Sequence, residues 1–326
     1  MITSYTCKAG KLLATAGLMT AEQLASATWI DLLAPTPTEE QHLESLLGID
    51  LPTREEMSKI EDSRRLFARG ETLLLTLTIL LQSDDEYPCA EEVTFVLTPQ
   101  HLVSVRYVEP RALSVFAARS AANTTLCANA EDVLLSVLET LLEYLAIHVD
   151  TVSNDLDLLG HQVLAPDARS GRQSRLDYAA LLRRLEHQQA VTAKSRTSLV
   201  SLGRLLGFVL RAQGGERLSA EARTRGQTLL NDTHSLLEHT GFLANNISFE
   251  LAAILGMVNI EQNGIIKFFS VVSVVFLPPT LVASLYGMNF HHMPELQWRW
   301  GYPLAVLLML VSAVLPYFWF RRKGWL

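Results

Sequence analysis

Phe268–Phe290 reads FFSVVSVVFLPPTLVASLYGMNF and Trp300–Phe320 reads WGYPLAVLLMLVSAVLPYFWF; neither stretch holds a charged side chain. Each has about the 20 residues that carry an α-helix across a bilayer. The rest of the chain is of another kind. Over all 326 residues it is 49% hydrophobic and 19% charged, with a mean hydropathy of +0.19. That average is high for a soluble protein and low for a chain lying mostly in lipid. Two spans, about 268–288 and 301–320, therefore follow a long polar region.

Charge divides the same way. From Lys267 onward Lys267, Arg299, Arg321, Arg322 and Lys323 face one acid, Glu295, so the tail carries +4. The net charge of −7 then leaves −11 for residues 1–266. An acidic region excludes a nucleic-acid partner and suits a protein that handles cations. Basic residues precede the first span and follow the second, so the positive-inside rule puts both termini in the cytoplasm. The first 20 residues show no secretory signal pattern. Cys7, Cys89 and Cys127 are odd in number and scattered, which predicts no disulfide framework and a reducing compartment.

The polar region has three parts. Residues 1–130 are predicted as an α/β domain. Trp29–Leu33 reads as a strand, and Thr36-Pro37-Thr38-Glu39 is a capping box opening a helix that stops at Gly48. Thr53-Arg54-Glu55-Glu56 opens another. Leu73–Leu81, Val93–Thr98 and Leu102–Tyr107 read as strands of a mostly antiparallel sheet. Residues 131–215 are helical, with Leu199–Leu210 too short to span lipid and so buried. Residues 216–266 form a stalk helix. No proline interrupts the chain from Gly215 to Pro278, so one helix of about 100 Å can run from Leu218 to Tyr286 into the two-helix membrane domain, 267–326.

The first span carries a stripe. Asn263, Ile266, Ser270, Ser273, Leu277, Thr280 and Ser284 recur every three or four residues, hence on one helix face. Two readings stand. Serine and threonine in a membrane helix bond their own backbone or pack helices. Alternatively the stripe lines a pore, which needs several copies of the chain because lipid cannot satisfy polar groups. Pro278-Pro279 kinks the span and releases the carbonyls of Val274 and Val275. Tyr286-Gly287-Met288-Asn289 then reads either as a helix C-cap or as a mouth. In the mouth, Gly287 permits close approach and Asn289 offers a neutral amide oxygen. A ring of amides holds hydrated Mg²⁺ through its waters without stripping it.

These residues carry a resemblance. The run from Tyr286 to Phe290, Met293-Pro294-Glu295-Leu296 and Trp298-Arg299-Trp300-Gly301-Tyr302-Pro303 resembles the CorA family of magnesium transporters. Asn259–Asn263, Val271–Leu285 and the ending Arg321–Leu326 are similar to proteobacterial members. The close match covers about residues 255–326. The resemblance implies a funnel-shaped homopentamer: an α/β cytoplasmic domain, a long stalk helix and two C-terminal transmembrane helices per chain. It implies Gly287, Met288 and Asn289 as selectivity filter. Asn263, Ile266, Phe269, Ser273, Leu277, Thr280 and Ser284 would line the pore. The family register favours Phe269 where the heptad stripe gives Ser270. Glu295 in the external loop would draw cations to the mouth, while His291 and His292 read as interfacial residues.

The resemblance also implies that Mg²⁺ between cytoplasmic domains holds the pore shut, since carboxylates of two subunits repel until a divalent ion bridges them. Asn289, Glu71 and Asp232 are the metal-binding candidates. Ala252 stands where relatives carry an aspartate, with Glu250 nearby. No phosphate-binding loop, nucleophile–base motif or zinc-ligand spacing appears, so the reading includes no ATP-driven pump, enzyme or organic cofactor. Mg²⁺ uptake across the bacterial inner membrane, with Co²⁺ or Ni²⁺ also carried, is the expected function. A zinc-transporting relative and a membrane-tethered divalent-cation sensor or scaffold are the alternatives.

Overall fold

Alternating apolar residues in the first hundred positions build one sheet. In the computed structural model, seven strands run in order: β1 (Ile2–Lys8), β2 (Lys11–Ala16), β3 (Trp29–Leu33), β4 (Leu66–Arg69), β5 (Thr72–Leu81), β6 (Cys89–Leu97) and β7 (Leu102–Arg106). Their spatial order is β2-β1-β3-β7-β6-β5-β4. The structure describes residues 1–59, 65–81, 87–122, 127–164, 177–212, 218–288 and 293–325. All strand pairs are antiparallel except β3 with β7, which run parallel.

Both sheet faces are covered. One carries Ile2, Ile30, Leu32, Val96, Val103 and Val105, packed with Leu24, Leu43 and Met57. Those three come from α1 (Ala21–Ser26), α2 (Pro37–Leu47) and α3 (Arg54–Lys59). Helix α2 forms as its sequence dictates: Thr36 and Glu39 make the reciprocal capping box, Pro37 opens the helix, and Gly48 ends it at φ 65°. The Thr53–Glu56 box forms as well. The other face carries Trp29, Leu73, Leu75, Leu77, Phe95 and Leu97 in one core with the later helices. These are α4 (Arg111–Ala122), α5 (Ala130–Leu164) and α6 (Tyr178–Arg211). Leu199, Leu202, Leu205 and Leu206 of α6 are buried, as their short apolar run predicts.

The parallel pair is held by a buried polar network. Asp31 on β3 accepts two hydrogen bonds from the Arg106 Nε and terminal nitrogen of β7, at 3.0 and 2.8 Å. Ser104 donates to the same carboxylate at 2.6 Å and accepts from the Trp29 indole at 2.9 Å. Arg106 also reaches the Val108 carbonyl at 3.0 Å. Every member of this chain of donors has an acceptor, the condition under which a buried ion pair is tolerated.

The cysteines depart from the sequence expectation. Cys7 of β1 and Cys127, just before α5, are joined as a disulfide with Cα atoms 6.0 Å apart, and Cys89 is free and exposed. Spacing could not reveal the pair, because only the folded sheet brings residues 120 positions apart together.

Helix α7 (Ala220–Tyr286) continues through Pro278-Pro279, and α8 (Gly301–Arg322) follows a 3₁₀ turn at Pro294–Gln297. The chain divides into two compact units, Met1–Leu251 and Ala252–Leu326, so the division falls within α7. Both α7 and α8 are long and apolar enough to cross a membrane.

Asp31→Ala leaves the Arg106 charge buried without its partner. Urea unfolding of the full-length protein in detergent should show a loss of about 3–5 kcal/mol. A change under about 1 kcal/mol would mean that the network contributes little.

Candidate ion pathway and metal sites

The second unit supplies the polar stripe. Along α7, Val271 is buried, and Val275, Pro278, Val282 and Tyr286 are half-buried at the three-and-four spacing of one helix side. Asn263, Ile266, Phe269, Ser273, Leu277, Thr280 and Ser284 are all exposed. From Phe269 onward each lies two residues from a shielded position, about 200° round the helix. From Phe269 onward the stripe is thus opposite the covered side. Phe269 is 62% exposed, whereas Ser270 is half-buried on the margin of the covered side.

The hydroxyls divide. Ser270 donates to the Ile266 carbonyl at 2.8 Å and Thr280 to the Phe276 carbonyl at 2.7 Å, each bonding its own helix. Ser273 and Ser284 make no such bond among the described residues. Gly287 closes α7 by donating its N–H to the Ala283 carbonyl at 2.9 Å. Its φ is not positive, so the left-handed cap that glycine favours does not form there. A Cβ at this position would lie 3.1 Å from the Ala283 oxygen, tighter than ordinary contact. Met288 is exposed. Asn289, His291, His292 and the Glu295 side chain lie outside the described residues.

In the first unit the acidic candidates stand apart. Glu71 is exposed in the turn between β4 and β5. Asp232 on α7 lines a cleft of about 530 Å³ that also holds Glu139 and Glu143 of α5. Arg225 neutralises Glu139 at 2.9 Å and Arg119 neutralises Glu143 at 2.8 Å. Asp232 has no ion pair among the described residues, and Glu71 does not line this cleft. No group of three or more His, Cys, Asp or Glu able to hold a metal occurs among the described residues. One chain therefore does not bring Glu71 and Asp232 into a shared site.

The sequence profile of the CorA-like Mg²⁺ transporter protein matches residues 25–322. The chain belongs to the CorA family. It is 37% identical over 305 residues to the magnesium transport protein CorA of Yersinia pseudotuberculosis serotype I, covering 94% of each chain. To that of Haemophilus influenzae strain KW20 it is 38% identical over 303 residues, 93% of each. Its fold is similar to the complete structure of the CorA magnesium transporter from Methanocaldococcus jannaschii. That likeness has a TM-score of 0.76 at 17% identity and covers 100% of this chain and 99% of the other. The family relation agrees with the α/β unit, the long helix and the two apolar C-terminal helices.

One feature of this CorA-family chain is not legible in its sequence. Glu250 of α7 is only 9% exposed, and its Oε2 is buried with no hydrogen-bond partner among the described residues. Its Oε1 sits 2.9 Å from where a Cβ would stand on Gly160 of α5, so the glycine makes room for the carboxyl. Burial pushes the Glu250 carboxyl up from its ordinary value. Such a group stabilises the fold fully below the ordinary carboxylate range, and the contribution is lost as pH rises through its folded value. Glu250→Gln, which mimics the neutral acid, should therefore gain melting temperature over the wild type as pH rises above about 4. Thermal scans of the full-length protein across pH would show a constant gap if Glu250 were an ordinary surface carboxylate.

Proposed function

We propose that this chain is a Mg²⁺ uptake channel of the bacterial inner membrane, a homopentamer in which five copies of α7 surround one pore. The observation that carries the reading is the exposed stripe of Ser273, Thr280 and Ser284 opposite the covered side of α7. Hydrocarbon cannot satisfy Ser273 and Ser284, whereas water and hydrated ions can. The curated relatives are named as magnesium transport proteins, which supports Mg²⁺ as the cargo.

Ile266, Phe269 and Leu277, all more than half exposed, form the apolar collars that close such a pore by dewetting. Gly287, Met288 and a ring of Asn289 amides select the hydrated ion at the outer mouth, and Glu295 raises the local cation concentration. Both termini lie in the cytoplasm. Where glutathione keeps thiols reduced, Cys7 and Cys127 stand as adjacent thiols. Inward movement of a divalent ion across 100 mV yields about 4.6 kcal/mol, at about 2.3 per charge, so the membrane potential suffices. Co²⁺ and Ni²⁺ travel by the same route.

Closure follows from cytoplasmic Mg²⁺ bridging subunits through Glu71 of one and Asp232 of the next. The exposure of both, and the lack of an ion pair at Asp232 among the described residues, suit that role. A membrane-tethered divalent-cation sensor is the second reading. The internal bonds of Ser270 and Thr280 favour it, since those hydroxyls need no water.

Proteoliposomes holding the purified protein should take up Mg²⁺ under an inward-negative potential with low internal Mg²⁺. Asn289→Ala should abolish selective uptake while five subunits still assemble in detergent. Intact uptake in that variant would favour the tethered sensor. Asp232→Ala and Glu71→Ala should each weaken protection by Mg²⁺ against limited proteolysis. Unchanged protection in both would remove them as sensors.

A further inference from the structure

We propose that the last turn of α8 holds an anionic phospholipid, its acyl chains along an apolar stripe of the helix and its phosphodiester at Arg321 and Arg322. Ala305 and Phe320 of α8 are buried, and Met309, Ser312 and Pro316 are half-buried at the three-and-four spacing of one side. Leu307, Val311, Val314 and Phe318 are each at least 45% exposed. Each lies two residues past a covered one, about 200° round the helix, so the four form a stripe away from the covered side. The next positions of that stripe, three and four residues beyond Phe318, are Arg321 and Arg322, and both are exposed.

Unlike the stripe on α7, this one carries no polar side chain. It needs neither water nor a second copy of the chain, and hydrocarbon covers it at no cost. The two arginines stand one turn, about 5.4 Å, past the Phe318 ring. Apolar residues, then an aromatic, then cations repeat the order of a leaflet from its acyl chains through its boundary to its phosphates.

The end of the helix leaves both guanidiniums available. Gly324, at φ 70°, donates its N–H to the Arg321 carbonyl at 3.2 Å, and Trp325 donates to the Phe320 carbonyl at 3.1 Å. These bonds occupy carbonyls that otherwise draw cations. The Trp325 ring folds back on Phe320, with centroids 5.4 Å apart. The Lys323 Nζ sits 4.5 Å from the centre of the Trp319 ring. Arg321 and Arg322 have no ion pair among the described residues, and from Leu296 onward the sequence holds no acid. Guanidiniums at phosphate depth favour a headgroup of net negative charge. A zwitterionic headgroup brings its own cation to the phosphate, in competition with them. The stripe beneath favours a molecule with acyl chains over a soluble phosphate. The inference rests on α8 crossing a bilayer and not on ion conduction.

Native mass spectrometry of the full-length protein in detergent tests it. The probes are dioleoyl phosphatidylglycerol, dioleoyl phosphatidylcholine and, as a phosphate without chains, glycerol phosphate. Phosphatidylglycerol should saturate at concentrations about tenfold below those phosphatidylcholine needs. Arg321→Gln and Arg322→Gln should each weaken its binding about fivefold, and Arg322→Lys, which keeps the charge, should retain most of it. Arg299→Gln, which removes the same charge before the opposite end of α8, should bind as wild type. The proposal fails if the two lipids bind alike, if glycerol phosphate displaces the lipid, if both Arg321→Gln and Arg322→Gln bind as wild type, or if Arg299→Gln weakens binding as much as they do. A protein that stays dispersed without detergent would remove the bilayer crossing itself.

Discussion

A helix that enters hydrocarbon must find partners for every polar group it carries, and lipid supplies none. Helix α7 shows two solutions. Ser270 and Thr280 turn their hydroxyl hydrogens onto carbonyls of the same helix. Ser273 and Ser284 stand exposed on the side away from the covered residues. A hydroxyl left without a partner in lipid is costlier than a self-bonded one. The functional reading rests on that difference, because only further copies of the chain and the water between them can satisfy the stripe.

The same requirement operates in the α/β unit with a different outcome. The parallel junction of β3 and β7 buries a carboxylate and a guanidinium, and Trp29, Ser104 and Val108 complete their bonding. Charge enters the interior there only as a closed set. Glu250 differs. Its burial next to Gly160 comes without a counter-charge among the described residues, and its proton affinity rises accordingly. Asp232 represents the opposite case, an exposed carboxylate whose neighbours in the cleft are already neutralised.

Local chemistry made much of the architecture readable. The Thr36–Glu39 box, Pro37 and Gly48 lie within a few residues of what they control, so α2 was predictable to its ends. The two apolar helices were readable because membrane thickness fixes their length. The β1–β2 hairpin was missed. Its turn uses Ala9 at φ 51° and Gly10 at φ 74°, without the Asn-Gly signal of a tight hairpin. Its strands mix threonine, serine and lysine, giving weak alternation. The parallel β3–β7 pairing and the Cys7–Cys127 bond join residues distant in sequence, and nothing local announces them. For the ion pathway, the three-and-four periodicity was readable, whereas which side of α7 is covered depends on packing. Glu250 stood out only as the acid near Ala252, since its burial depends on the glycine across from it.

That glycine has an evolutionary corollary. With the carboxyl of residue 250 filling the space above residue 160, neither position is free to vary alone. A lineage that places a larger side chain at 160 must first shorten or redirect the one at 250. A lineage that shortens 250 opens a void that a larger residue at 160 can fill. The two sites, 90 positions apart in the sequence, should therefore behave as one inherited character, with exchanges at one tracked by complementary exchanges at the other.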